Sequence, residues 1–175
     1  MKEKTCCFTG HRELPEEQLP QLRNALFKVI VRLASQGVTR FACGGALGFD
    51  TLAAQMVLVV KEAFPQIQLL LVLPCKTQDK YWPKEDQEIY REILARADRV
   101  VFVSETYIQG CMQKRNRLLV EGSSVCVCYC TKKQGGTVYT LNYAQQKGLK
   151  VIHLAEGIYL SLIHISEPTR LQLIS

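Results

Sequence analysis

A glycine-rich loop followed by an acid is the part of this sequence best suited to chemistry. Gly44, Gly45, Ala46 and Gly48 separate two apolar stretches, and Asp50 stands where the second stretch begins. The pattern predicts a strand, this loop and a helix in that order, so the loop lies at the amino end of a helix. Its backbone N–H groups and the helix dipole then favour an anion such as phosphate. The same spacing also fits a tight turn in which Asp50 only caps the helix.

Two more glycine loops follow predicted strands. The first combines a hydroxyl, a glycine, an imidazole and a guanidinium, at Thr9, Gly10, His11 and Arg12. Two cationic donors directly after a strand favour anion binding, although a solvated turn has the same composition. The second loop precedes a helical pattern and consists of Gly135, Gly136 and Thr137.

The loop after the predicted third strand carries the only tryptophan, Trp82, together with Pro74 and Gln78. An aromatic ring stacks well on a nucleobase, which makes Trp82 a candidate lid over a purine. Tryptophan is also mostly buried wherever it occurs, so the equal alternative is that Trp82 anchors the loop to the core.

A predicted helix over residues 112–122 contains Arg115, Asn116 and Arg117. Residues two apart on a helix point to nearly opposite sides, so the two arginines do not serve one pocket. One of them is expected at a ligand site and the other on the surface.

The elements that position these loops are six predicted strands alternating with helices. The strands are predicted over residues 4–9, 38–43, 67–73, 99–103, 125–130 and 150–154. This alternation predicts one α/β domain over residues 1–155, a doubly wound, three-layer fold with a mostly parallel sheet. Such sheets bind ligands at the carboxyl ends of their strands, where every unusual polar or glycine-rich loop of this chain falls.

Composition limits the classes of function. The net charge of +6 permits an anionic partner, but no run of five basic residues indicates a nucleic-acid arm. No segment has the length and apolar character of a membrane span or a signal peptide, so we expect no membrane partner and a cytoplasmic location.

The eight cysteines form no C-x-x-C pair, and most lie in apolar, strand-like runs. Cys126, Cys128 and Cys130 alternate and would share one face of a strand. A soft-metal site and core packing both fit this pattern. Core packing is the favoured interpretation, and we expect no metal.

The end of the chain does not continue the alternation of strands and helices. Residues 161–170 resemble translated sequencing-adapter read-through, and we expect residues 156–175 to lie outside the domain. His164 is therefore left out of the candidate site.

Five ordered motifs resemble one family. They span residues 7–12, 44–50, 73–75, 110–117 and 135–140. These motifs are similar to those of the YpsA-like family of the SLOG superfamily, named for the DNA-processing protein DprA and the LOG cytokinin-activating enzymes. The resemblance implies a Rossmann-like fold and a pocket for a nucleotide or a nucleotide-derived ligand such as ADP-ribose or NAD. With the loops above, it implies a ligand site formed by Thr9, Gly10, His11, Arg12, Gly44, Gly45, Ala46, Gly48, Asp50, Pro74, Gln78, Trp82, Arg115, Asn116, Gly135, Gly136 and Thr137.

The resemblance also implies individual roles. Arg115 corresponds to the arginine that LOG enzymes use beside the phosphoribosyl group, and Gly136 and Thr137 match their phosphate loop. Their catalytic glutamate falls at Thr140, whose hydroxyl cannot act as a carboxylate. Ser124 stands where relatives commonly carry aspartate. Asp50 and Glu121 are the remaining carboxylates that could substitute, and catalytic residues are left unassigned.

Three functions follow as hypotheses. The first is a bacterial or phage sensor that binds a nucleotide-like ligand with weak or absent catalysis, a role that allows a protein partner and a homo-oligomer. The second is an N-glycosidic hydrolase of the LOG type that acts on a nucleotide or NAD-like substrate. The third is a DprA-like single-stranded DNA binder, disfavoured because the basic residues are isolated.

Overall fold

The structure, a computed structural model, describes residues 1–156 of the chain. The proposed boundary at residues 156–175 therefore falls almost entirely outside the described residues. Within them lie six strands: β1 Thr5–Gly10, β2 Arg40–Cys43, β3 Gln68–Cys75, β4 Arg99–Ser104, β5 Val125–Tyr129 and β6 Lys150–His153. All neighbouring strands pair in parallel.

Helices follow the strands as the periodicity predicts. They are α1 Leu19–Ser35, α2 Phe49–Ala63, α3 Lys84–Arg96, α4 Cys111–Glu121 and α5 Gly136–Gln146. Short 3₁₀ helices at Lys2–Lys4 and Glu16–Gln18 precede β1 and α1. α2 is buried on more than one side, as its nearly continuous apolar sequence predicts. Among residues 1–156, none of these helices is both long and apolar enough to cross a bilayer.

The strand order is β4-β3-β2-β1-β5-β6. The chain adds strands in one direction from β1 to β4 and then returns to the other side of β1 to form β5. This reversal places the topological switch point between β1 and β5. The predicted doubly wound, parallel α/β fold is confirmed.

Two apolar clusters cover the two faces of the sheet. The larger one joins α1, α2 and α3 to inward residues such as Phe8 and Phe41, and the smaller one joins α4 and α5 to Cys7, Cys126 and Cys128. Alternation of side chains along β1 explains why the neighbours Cys7 and Phe8 enter different clusters.

The cysteines of β5 belong to the core. Cys126 and Cys128 are fully buried, and burial raises the pKa of the Cys128 thiol to about 12. Cys130 lies beyond the end of β5 and does not share their environment. Within residues 1–156, no three or more histidine, cysteine or acidic side chains gather in a way that could hold a metal ion.

Candidate functional site

A cleft of about 420 Å³ opens at the switch point between β1 and β5. The loops after these two strands form its rim, and the amino-terminal turns of α2, α4 and α5 complete it. The following predicted site residues line this cleft: Thr9, Gly10, His11, Arg12, Ala46, Asp50, Arg115, Asn116, Gly135, Gly136 and Thr137. The volume lies within the range of small-molecule sites.

The other predicted residues lie outside the cleft. They are Gly44, Gly45, Gly48, Pro74, Gln78 and Trp82. Trp82 packs edge-on against Tyr90, with 5.1 Å between ring centroids, and borders the larger apolar cluster. Gln78 donates to the Tyr90 hydroxyl at 2.9 Å and to the Gly45 carbonyl at 3.2 Å. The structure therefore favours the core-anchor interpretation of Trp82 over the lid.

The loop at residues 44–48 is a tight turn, and two N–H groups in or next to it donate to protein atoms. The Phe49 N–H, the first of α2, donates to the His11 carbonyl oxygen at 3.0 Å. The Ala46 N–H donates to the Asp50 carboxylate at 3.3 Å. An anion at the amino end of α2 stays a prediction, and the His11 carbonyl already satisfies the first N–H group that such an anion would use.

Close packing explains why this part of the chain needs glycine. A Cβ atom at Gly44 would lie 2.6 Å from the Arg115 Nη1 and 2.9 Å from an Asp50 carboxylate oxygen. A Cβ atom at Gly10 would overlap the buried Phe49 ring, and one at Gly48 would overlap the backbone of Arg12. The backbone of these glycines therefore packs directly against the neighbouring side chains and, at Gly48, against the backbone of the β1 loop.

The amino end of α5 faces the cleft directly. Gly135 caps α5 with φ of 116° and without a side-chain hydrogen bond, and Gly136 and Thr137 form the first turn. The first N–H groups of a helix have no intrahelical acceptor, and both residues line the cleft. The helix dipole adds a positive potential at the same point. Backbone donors and the positive end of a helix dipole therefore face the cleft at this point.

Arg115 supplies a buried positive charge to the cleft. Its side chain is 4% exposed, its Nε donates to the Asn116 Oδ1 at 2.7 Å, and its Nη1 donates to the Gly44 carbonyl oxygen. Burial lowers its pKa, and the nearby Asp50 carboxylate opposes that shift. No carboxylate of residues 1–156 forms a salt bridge with it. Arg117 is exposed and does not line the cleft, so the two arginines lie in different environments, as the helical spacing predicts.

Asp50 is the buried acid of the cleft, with 8% of the residue exposed. Burial raises the pKa of its carboxyl, and the positive charge of Arg115 opposes that rise. Because only one of its oxygens accepts the Ala46 N–H, the other is free among the described residues to accept a hydrogen bond from a ligand.

His11 is an acceptor rather than the expected cationic donor. Its Nε2 accepts a hydrogen bond from the Thr131 N–H at 2.8 Å, which requires that nitrogen to be unprotonated. Burial and the nearby Lys132 charge lower the pKa of its ring. The exposed cations at the rim are therefore Arg12 and Lys132.

Thr140, at the position of the LOG glutamate, and Glu121, a carboxylate that could replace it, both lie outside the cleft. Thr140 is buried, and its hydroxyl donates to the Gly136 carbonyl at 3.0 Å within α5. Glu121 lies at the far end of α4 and accepts a hydrogen bond from the Tyr143 hydroxyl at 2.5 Å. Among residues 1–156, the carboxylates that line the cleft are Glu13 and Asp50.

We expect no appreciable release of free base when the protein is incubated with nucleoside monophosphates or NAD. The position of the LOG glutamate carries no carboxylate, and the Asp50 carboxyl is buried beside Arg115. Chromatographic assays over long incubations measure this. Steady turnover that Asp50→Asn abolishes would contradict the prediction, while turnover that Asp50→Asn leaves unchanged would indicate a contaminating hydrolase.

Several lining residues were missed by the sequence reasoning. They are Phe8, Glu13, Met112, Leu119, Lys132 and Gln134. Met112 and Leu119 lie three before and four after Arg115, so helical spacing alone puts them on the same face of α4. Lys132 and Gln134 precede the Gly135-Gly136 pair and follow from proximity along the chain. Glu13 carries no comparable signal, because it belongs to an irregular turn.

Comparison with known proteins is consistent with this architecture. The model described as the YspA SLOG family matches residues 7–156. The SPbeta prophage-derived protein YoqJ of Bacillus subtilis is 31% identical over 139 residues, covering 72% of this chain and 81% of that protein. A UPF0398 protein of Brevibacillus brevis is 28% identical over 129 residues, covering 72% of this chain and 69% of that protein.

Solved structures of DprA resemble the chain in fold. DprA from Helicobacter pylori, in a structure described by its single-stranded DNA binding mode, gives a TM-score of 0.63 at 22% identity, covering 85% of this chain. DprA from Streptococcus pneumoniae gives a TM-score of 0.63 at 16% identity, covering 93% of this chain. The chain spans 64% and 57% of those two proteins, less than two thirds of their length.

Proposed function

The chain belongs to the YspA SLOG family, and on that premise we propose that it binds a nucleotide or nucleotide-derived ligand in the cleft between β1 and β5. The observation that carries the proposal is the convergence of two anion-binding features on one cavity. These are the open amino end of α5 and the buried guanidinium of Arg115.

The electrostatics of the cleft suit a phosphate group. Arg12, Arg115 and Lys132 outnumber the two carboxylates of the lining, Glu13 and Asp50. A phosphate at the amino end of α5 would accept hydrogen bonds from backbone N–H groups and gain from the dipole of the helix. Arg115 would add a charge-assisted hydrogen bond.

The rest of the lining suits a ribose and a base. Met112 and Leu119 give apolar surface on α4, and Phe8 gives it at the end of β1. The Glu13 and Asp50 carboxylates are acceptors for ribose hydroxyls. A volume of about 420 Å³ accommodates a ligand of nucleotide size.

Two measurements test the proposal. Native mass spectrometry of the protein purified from cells is expected to show a retained ligand of nucleotide mass. Calorimetric titration with AMP, NAD, ADP-ribose and inorganic phosphate is expected to give saturable binding for at least one nucleotide. Absence of binding to all four would overturn the proposal. Binding without turnover would support a sensor that signals through a protein partner.

Single-stranded DNA is the second candidate ligand, although the sequence alone disfavours nucleic acid. Tyr81 and Tyr107 are 87% and 67% exposed on the loops after β3 and β4, at the same edge of the sheet as the cleft. The Lys80 Nζ lies 5.3 Å from the centre of the Tyr81 ring. Exposed aromatic rings beside cations are the surface on which successive bases stack.

Fluorescence anisotropy with labelled oligothymidylate tests this candidate. Binding that falls steeply with salt and is weakened by the double variant Tyr81→Ala, Tyr107→Ala would support it. A double variant at Tyr139 and Tyr143, both on α5, is the matched control. No binding at low salt would exclude this candidate.

A further inference from the structure

His11 joins the two loops that face each other across the switch point. Its carbonyl oxygen accepts the Phe49 N–H at 3.0 Å and so satisfies the first N–H group of α2. Its ring Nε2 accepts the Thr131 N–H at 2.8 Å, at the start of the loop between β5 and α5. The residue is 8% exposed, and its ring lies edge-on to Tyr129 with 6.0 Å between centroids.

We propose that neutral His11 holds the β5–α5 loop, residues 130–135, in position and thereby sets the affinity of the cleft for phosphate groups. Protonation of His11 would then release the loop and weaken anion binding. The effect on affinity rests on the proposed function. The hold on the loop is a property of the ligand-free protein.

The loop has few other anchors. Among the further hydrogen bonds of the described residues, one lies within the loop, from the Cys130 Sγ to the Lys132 carbonyl at 3.4 Å, and one joins its end to α5, from the Tyr139 N–H to the Gly135 carbonyl at 3.1 Å. Residues 131–135 are exposed, so apolar packing does not fix them. Because Gly136 and Thr137 directly follow this segment, the Thr131–His11 hydrogen bond helps to aim their N–H groups into the cleft.

Protonation reverses the role of the ring nitrogen. An imidazolium has a hydrogen on both nitrogens, so Nε2 can no longer accept and instead opposes the Thr131 N–H with another donor. That N–H then loses its partner, and the loop loses its hydrogen bond to the β1 loop.

The charges around His11 favour its neutral form. Burial and the charge of Lys132 lower its pKa from the ordinary value of 6.5, and Tyr129 faces the ring from β5. The other charged groups of the cleft are Arg12 and Glu13 on its own loop, Asp50 on α2, and Arg115 on α4. The hydrogen bond is therefore complete above pH 6.5 and is lost as the pH falls through the pKa of the folded protein.

The direction of the pH dependence distinguishes this role from a direct ionic one. A cationic His11 that contacted the ligand would strengthen anion binding at low pH, whereas a loop-holding neutral His11 makes binding weaker there. ADP-ribose is the appropriate ligand, because its diphosphate diester lacks the second ionisation near pH 6 that a phosphate monoester carries.

The first experiment is calorimetric titration of ADP-ribose from about pH 5 to about pH 8. Wild-type affinity is expected to fall by roughly threefold to tenfold at the low end. His11→Gln retains an acceptor at the place of Nε2 and is expected to bind with a flat profile. His11→Ala is expected to bind weakly at every pH. His153→Gln, on β6, is the matched control and should keep the wild-type profile. Affinity that rises at low pH would overturn the proposal.

The second experiment needs no ligand. Nitrogen–nitrogen scalar coupling across the hydrogen bond, measured by NMR between the Thr131 amide and the His11 Nε2, is expected in the free protein at neutral pH. It should disappear as His11 titrates. Absence of the coupling, or a Thr131 amide insensitive to that titration, would overturn the role of His11. Intact coupling without ADP-ribose binding would support the hold on the loop and count against the nucleotide proposal alone.

Discussion

Replacing Arg115 with alanine is expected to weaken nucleotide binding by roughly tenfold to hundredfold. A charge-assisted hydrogen bond from arginine to phosphate contributes about 1.5–3 kcal/mol, and the burial of this side chain protects that interaction from water and salt. Calorimetric titration with adenine nucleotides and ADP-ribose measures the loss.

Two further variants test whether the Arg115 side chain itself causes the loss of nucleotide affinity. Arg117→Ala lies on the exposed side of the same helix and should bind as the wild type does. Arg115→Lys keeps a charge but lacks the fork that reaches Asn116 and the Gly44 carbonyl, so partial loss is expected. Equal losses in Arg115→Ala and Arg117→Ala would contradict the assignment.

The same substitution also tests the structural role of Arg115. Its Nη1 donates to the buried Gly44 carbonyl, and removing the donor leaves that oxygen unsatisfied. Such a loss costs about 1–3 kcal/mol of unfolding free energy. Binding is therefore to be measured at a temperature where each variant remains folded, as monitored by circular dichroism.

Replacing Gly48 with alanine is expected to lower the free energy of unfolding by about 3 kcal/mol or more. Gly48 has φ of 77° and ψ of −118°, a conformation outside the left-handed helical region, which costs a residue with a Cβ atom roughly 1–3 kcal/mol. Its Cβ would also lie 2.6 Å from the His11 carbonyl oxygen and closer still to that of Arg12. Both obstacles are backbone atoms, which cannot rotate away as a side chain does.

Gly148 is the matched control for this prediction. It has nearly the same φ, 79°, but a Cβ there would meet nothing within 4 Å. Gly148→Ala should therefore show the conformational cost alone, about 1–2 kcal/mol. Urea denaturation of the two variants measures the difference. Equal destabilisation would show that the β1 loop yields to the added methyl group.

The fold could be predicted because its signals are local. The apolar run of β5 and the nearly continuous apolar surface of α2 reflect burial on two sides, which is what a parallel sheet between helix layers imposes. Strand boundaries differed by only a few residues. The family motifs added the location of Arg115, which periodicity alone left open between two arginines.

Which groups of the site donate hydrogen bonds and which accept them could not be predicted, because this depends on contacts between segments that are distant in the sequence. The first N–H group of α2, that of Phe49, donates to the carbonyl of His11, which lies 38 residues earlier in the chain. The neutral state of His11 likewise depends on an N–H of Thr131, in a loop that follows β5. Composition gives the chemical groups of a loop, but only the packed structure determines which of them donate and which accept.

The close packing of three glycines beneath the cleft limits how this protein can be altered. A Cβ atom would collide with the Phe49 ring at Gly10, with the Arg115 and Asp50 side chains at Gly44, and with backbone at Gly48, so substitution there is expected to reduce stability rather than to give new ligand preferences. A library aimed at changing selectivity should therefore vary the rim, at Glu13, Met112, Lys132 and Gln134. Divergence of ligand choice within the family is expected to be concentrated at those same four positions.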